Sequence, residues 1–233
     1  MSIDINKVYK TVLVILEQEK RGVLTPTEFG RVATQAQQEV FTSYFDELNQ
    51  LLRMPQTSLA YADRMALLDE KISLFKRSES LTIVAQEITP SSAVQELGSV
   101  IYTENIPGRE MQRIQQQDVY TVNESPLTKP TAFYPVYTYE NKIIKVYPSN
   151  LDGTIQLNYL SFPEDVKWGF TIDPELGNYI YNSLDSTDFE LHESDQPLLI
   201  DKILGYAGVM SKDQLALSLG SQKEQQINAD SQK

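Results

Sequence analysis

Between Asp185 and Glu193 the chain reads Asp-Ser-Thr-Asp-Phe-Glu-Leu-His-Glu, the only stretch that resembles a metal site. If it is a strand, Asp188, Glu190 and His192 project from one face, and two carboxylates with an imidazole are donors for a hard or borderline divalent cation. Phe189 and Leu191 project from the other face. A strand with one buried side and one wet side gives the same alternation without any metal, and that explanation is preferred. His192 is the only histidine and there is no cysteine, so any Ser-His-Asp mechanism must pass through it. It has no G-x-S-x-G or oxyanion glycine cluster to work with. Phosphate-binding patterns of the G-x-x-x-x-G-K-[ST] and G-x-G-x-x-G kinds are also absent, which removes the usual nucleotide folds. The reading is therefore of a protein with no catalytic residue, no metal and no cofactor. A metal-dependent enzyme using Asp188, Glu190 and His192 is kept only as an alternative.

The elements that position this stretch are helical at both ends of the chain. Ile5, Val8, Val12 and Ile15, with Tyr9 and Leu16, recur at spacings of three and four and predict an amphipathic helix from Asp4 to Arg21, ended by Gly22. Thr25-Pro26-Thr27-Glu28 reads as a capping box that opens a long second helix. Its stripe of Phe29, Ala33, Ala36, Val40, Tyr44, Leu48 and Leu51 is widened by Phe41, Phe45 and Leu52. So broad a stripe needs more than one packing partner. Pro55 stops it, and Leu59 to Phe75 predicts a third helix. Late in the chain, Ser194 caps a helix over Leu198 to Val209, and a last, very polar helix is expected over Leu215 to Ile227.

In the middle the period changes to two. Leu81 to Ile88 and Leu97 to Thr103 read as strands, and Arg109 to Tyr120 as a short surface helix. The segment from Pro130 to Trp168 carries the clearest strand pattern: Ala132 to Tyr139, Lys142 to Tyr147, and Thr154 to Phe162, where Ile155, Leu157 and Tyr159 share a face. Turns at Glu140-Asn141 and Asp152-Gly153 make a three-stranded antiparallel meander the simplest connection. Tyr179 to Leu184 and Asp188 to Leu191 are expected as short strands. The fold class is α+β, with N- and C-terminal helices packed around a small antiparallel meander. Three stretches follow: a helical one over residues 1–78, a β-rich one over 79–194, and C-terminal helices over 195–233.

With 41% hydrophobic and 22% charged residues among 233, the chain can bury a real core. Its longest apolar run, Val12 to Leu16, falls far short of a membrane span and is followed by charges rather than a small-residue cleavage site, so neither a membrane segment nor a signal peptide is expected. A net charge of −12 with no basic run argues against a nucleic-acid-gripping protein, because phosphate binding needs a clustered positive footprint.

Thirteen tyrosines, eight phenylalanines and one tryptophan are an excess for so small a sheet to bury, so some of them are expected at an interface. Tyr137, Tyr139, Trp168, Phe41 and Phe45 are the candidates. The segments TPTEFGRVATQAQQEVFTSYF, SPLTKPTAFYPVY, KVYPSNLDGTIQLNYLSFPEDVKWGF and DFELHESDQPLLIDKILGYAGV together resemble structural proteins of short-tailed, crAss-like bacteriophages, in particular the head-to-tail connector (adaptor) ring proteins related in plan to tail tubular proteins. That resemblance implies a virion protein made in the host cytoplasm. It implies a closed ring, commonly of twelve subunits, below the portal, with DNA passing through its lumen and no active site. It also implies that the C-terminal region docks on the portal or the ring above, with Leu215, Leu217, Leu219 and Ile227 as anchors. Another virion part, such as a tail hub or a cargo-associated ring, is the second reading.

Overall fold

The first two helices form where the apolar periodicity and the capping residues place them. The computed structural model describes residues 3–18, 24–53, 59–104 and 108–210, and it divides into a helical unit, from residues before Phe75 and after Phe162, and a β unit, Phe75–Phe162. Helices at both ends with strands between them make the chain α+β. The helical unit contains α1 (Ile5–Gln18), α2 (Pro26–Arg53), α3 (Leu59–Ser73) and α5 (Gln196–Met210), while the short α4 (Val119–Glu124) belongs to the β unit. At the start of α2 the capping box closes both ways: Thr25 N donates to Glu28 Oε2 at 3.0 Å, and Glu28 N donates to Thr25 Oγ1 at 3.4 Å. The broad stripe of α2 is answered by two partners, α3 and α5, and α1 also packs on α5. Phe29, Ala33, Ala36, Val40 and Tyr44 are buried there with Leu199 and Ile203 of α5. The expected helix over Leu215 to Ile227 lies outside the described residues, as does Gly22.

In the β unit, β1 (Lys76–Thr82), β3 (Val94–Tyr102), β4 (Arg109–Glu110) and β8 (Thr154–Ser161) form one sheet in the order β1-β8-β3-β4. The other, β2-β7-β6-β5, consists of β2 (Glu87–Ile88), β5 (Gln112–Arg113), β6 (Val136–Glu140) and β7 (Ile143–Tyr147). A single apolar cluster fills the unit, with Val100, Tyr102, Ile155, Leu157 and Tyr159 from the first sheet and Ile88, Tyr137, Ile144 and Val146 from the second. The chain crosses between sheets at Ala85-Gln86, both in the left-handed region, and at buried Met111.

This arrangement corrects the expected meander. β6 and β7 do pair through a two-residue turn, Asn141-Lys142, both with positive φ. β8 leaves them and is bonded on both sides by β1 and β3. Its alternation is as expected, with Ile155, Leu157 and Tyr159 buried. Alternation fixes which face of a strand is buried and says nothing about which strand lies beside it. Three other expectations change. Leu81 to Ile88 is broken by the turn at Ala85-Gln86, and Arg109 to Tyr120 forms two minimal strands and a 3-10 turn before α4. Asp188 to Leu191 is no strand but an isolated bridge from Phe189 to Ile3.

Residues 163–195, grouped by sequence with the strands, pack with the helices. Gln37, fully buried on α2, holds this segment at two points: its Nε2 donates to Glu164 O at 2.7 Å, and its Oε1 accepts from Glu190 N at 3.0 Å. Thr34 Oγ1 accepts from Val166 N at 3.0 Å. Both ends of a buried amide are thereby satisfied, which is the condition for tolerating it inside a helical core.

Candidate functional site

The acidic stretch does not assemble into a site. Asp188 Oδ1 accepts from Ile5 N at 3.0 Å, Glu190 Oε2 accepts from Glu164 N at 3.1 Å, and His192 Nδ1 accepts from Ser194 N at 3.2 Å. Each group thus satisfies a different backbone donor. Asp188 caps the first turn of α1 from a distance of 183 residues, next to the local cap in which Asp4 Oδ1 accepts from Asn6 N and Lys7 N. His192, rather than Ser194, caps the 3-10 turn Glu193–Asp195 that precedes α5. Among the described residues no three His, Asp or Glu side chains converge on a common point.

A second polar constellation, invisible in the sequence, lies in the helical unit. The Tyr44 hydroxyl donates to Asp195 Oδ2 at 2.6 Å, and Lys71 Nζ pairs with Asp195 Oδ1 at 2.7 Å while lying 5.5 Å from the Tyr44 ring centroid. Burial, and then the bond to Asp195, push the Tyr44 hydroxyl far above the ordinary phenol range. A hydroxyl held protonated against an ion-paired carboxylate is neither a nucleophile nor a base; it ties α2, α3 and the turn before α5 together. Glu39 does similar work between α2 and α5, bonded by Lys202 Nζ at 3.1 Å and by the Tyr206 hydroxyl. Burial raises its carboxyl, and those two donors more than offset this, leaving it below the usual range.

The aromatic candidates divide by exposure. Tyr137 is buried in the β core, and Phe41 and Trp168 are buried in the helical unit, so little of these three remains for a neighbour. Tyr139 is half-buried, with the Arg113 guanidinium 5.8 Å from its ring centroid, and Phe45 is half-buried against Phe41 at 5.0 Å. Leu215, Leu217, Leu219 and Ile227 lie outside the described residues.

Trp168 is a packing hub. Its ring meets Tyr9 at 4.5 Å, Tyr181 at 5.5 Å and Phe170 at 6.1 Å, and its Nε1 donates to Asn6 Oδ1 at 3.4 Å. From it springs a two-stranded hairpin, β9 (Phe170–Ile172) and β10 (Tyr179–Tyr181). Gly169 makes the hairpin base: a Cβ there would come within 2.7 Å of Asn182 O and 2.6 Å of Asp185 C, so no other residue fits. Exposed apolar side chains collect on this arm and its exit turn: Ile172, Leu176, Tyr179, Ile180 and Leu184. A second set, Tyr120 on α4 and Leu127, Phe133 and Tyr134 between α4 and β6, lies on the β unit. Scattered single hydrophobes are ordinary on protein surfaces, whereas collections mark interaction sites. None of these residues is among the interface candidates that the sequence suggested. The signal for the arm was Ile172, Leu176 and Ile180 set among Asp, Pro, Gly and Asn, in a stretch too short to build a core for them.

No protein-family model matches the chain, and no curated protein matches it.

Proposed function

We propose that this chain is a non-enzymatic structural subunit of a bacteriophage virion that closes into a ring of the head-to-tail connector below the portal, with DNA passing through the lumen. The observation that carries the reading is the pair of exposed apolar collections, one on each unit: Ile172, Leu176, Tyr179, Ile180 and Leu184, and Tyr120, Leu127, Phe133 and Tyr134. A ring of identical subunits joined head to tail needs two different adhesive surfaces per subunit, and a chain with one such surface stops at a dimer. The resemblance of the four long segments quoted above to connector proteins supports the same assignment. The charge of −12 suits a wall past which DNA slides without sticking, since like charges repel.

The test is the mass and shape of the purified full chain. Sedimentation velocity and negative-stain imaging should show one large species made of closed rings. A chain that remains monomeric at about 100 μM, well above the Kd of a specific interface, overturns the reading.

A further inference from the structure

We propose that the open edge of β1 is a self-association surface, through which two copies pair antiparallel about a twofold axis at Ser78. The contact lies within the β unit and is independent of the ring reading, since a twofold contact by itself stops at two copies.

Hydrogen-bond parity shows what the edge offers. Ser161 N donates to Phe75 O and Ile83 N donates to Gly153 O, both at 2.9 Å, at the two ends of the β1–β8 ladder. Bonded positions alternate along an antiparallel pair, so Arg77, Glu79 and Leu81 turn their backbone groups toward β8, while Ser78, Ser80 and Thr82 turn theirs away. β1 is the outermost strand of its sheet, and among the described residues the backbone groups of those three make no hydrogen bond on that side. Their side chains are exposed as well. The other outer strands, β2, β4 and β5, are two residues long, against seven in β1. A row of unpaired N–H and C=O groups of that length is a template for another strand.

Charge decides which strand. Arg77 and Glu79 lie on one face of the edge, opposite Tyr159 and Leu157 of β8. The Tyr159 hydroxyl and Ser91 N each donate to Glu79 Oε2 at 3.3 Å, which positions the carboxylate and leaves Oε1 for a further donor. Two copies of β1 can pair antiparallel with their outward groups facing only if the axis passes through a residue. An axis at Arg77 or at Glu79 sets that charge directly against its own copy, which is unfavourable. An axis at Ser80 sets Glu79 opposite Leu81 and leaves both charges unmatched. An axis at Ser78 sets Arg77 opposite Glu79 twice, in the non-hydrogen-bonded positions where side chains lie nearest. Lys76 then faces Ser80, and no like charges stand opposite each other. The edge thus complements a second copy of itself, in one register.

The chain contains no cysteine, so single introduced thiols report that register. At the axis the two Cα atoms would lie about 5.5 Å apart, within disulfide range, whereas the two Ser80 positions would be about 13 Å apart. With oxidised glutathione to accept the two electrons, full-length Ser78→Cys should give a covalent dimer on a non-reducing denaturing gel. It should do so at least about tenfold faster than Ser80→Cys or Thr82→Cys. Added to Ser78→Cys, Arg77→Glu should cut the rate about tenfold, and Arg77→Glu with Glu79→Arg should restore it. Should that charge-swapped chain lose its circular dichroism signal, Ser80→Pro takes its place: it deletes an outward N–H without touching the β8 ladder, and should slow the dimer about tenfold. Equal rates at the three cysteine positions, no dimer at Ser78→Cys, or a folded charge-swapped or proline chain that behaves otherwise overturns the proposal. The gel is read whether or not rings form, so the ring reading stands or falls separately, on sedimentation of the parent.

Discussion

Asp195 ties three elements of the helical unit together. It accepts from Tyr44 at 2.6 Å and from Lys71 at 2.7 Å, and the Lys71 and Asp195 side chains are only 13% and 9% exposed. Removing one member of a buried pair leaves the other's charge without compensation, so Asp195→Ala should lower the unfolding free energy in urea by about 3–5 kcal/mol. Asp195→Asn keeps an acceptor and should cost less; equal losses would place the effect in packing rather than in the polar contacts. The same node sets an alkaline limit. Tyr44 titrates above the ordinary phenol value of 10.0, through burial first and the Asp195 bond second. Below about pH 10 both states hold the proton and this contribution is complete. As pH rises beyond that, the unfolded chain releases its proton first and the contribution is lost. Tyr44→Phe should therefore flatten the fall in stability above pH 10, in part, because burial also raises Tyr9, Tyr102 and Tyr137. An unchanged slope would mean that Tyr44 does not titrate differently in the two states. None of this node was legible in the sequence: Tyr44, Lys71 and Asp195 are joined by tertiary packing, and contacts over 124 and 151 residues leave no spacing to read.

Among the elements, those specified by short-range chemistry were legible. α2 begins where Thr25 and Glu28 place it, because a capping box is complete within four residues. Arg109 to Tyr120, with few apolar residues, is instead shaped by its neighbours: Met111 is buried as the chain changes sheets, Ile101 pairs with Glu110, and Tyr137 with Arg113. Partnership of strands was the unreadable part. β8 joins β1 and β3, whose residues lie roughly 50 to 80 positions away, and only assembly decides that choice. The β6–β7 turn shows how far local chemistry reaches. Asparagine at 141 announced a left-handed backbone, and the turn lies one residue later than expected, with Lys142 at φ 66. A lysine in that region is strained, while a glycine after asparagine is the preferred hairpin pair. Lys142→Gly should stabilise the protein by about 0.5–1 kcal/mol, read as a higher urea midpoint at unchanged slope. A lower midpoint would show that the exposed Lys142 side chain makes a contact worth more than the strain it relieves.

At the scale of the whole molecule, the described part of α5 closes the helical core. The last buried apolar side chain among the described residues is Ala207, after Leu199 and Ile203 on the same helix. The ion pair from Lys202 to Glu39 and the Tyr206 bond to the same carboxylate also lie before Met210. A chain ending at Ser211 keeps all of these contacts. It should therefore unfold within ~0.5 kcal/mol of the full chain. The removed residues contain Leu215, Leu217, Leu219 and Ile227 among long polar runs, a sequence suited to a few apolar anchors in a partner's groove rather than to a core of its own. If the chain is a connector subunit, those leucines attach it to the portal or the ring above. The exposed apolar side chains proposed to close the ring lie earlier, from Tyr120 to Leu184. Closure and attachment should then separate: the truncated chain should form rings by sedimentation and imaging yet fail to retain the portal in a pull-down. A truncated chain that still retains the portal puts the attachment surface elsewhere. One that no longer closes makes the C-terminal residues part of the ring interface and removes them as a separate docking element.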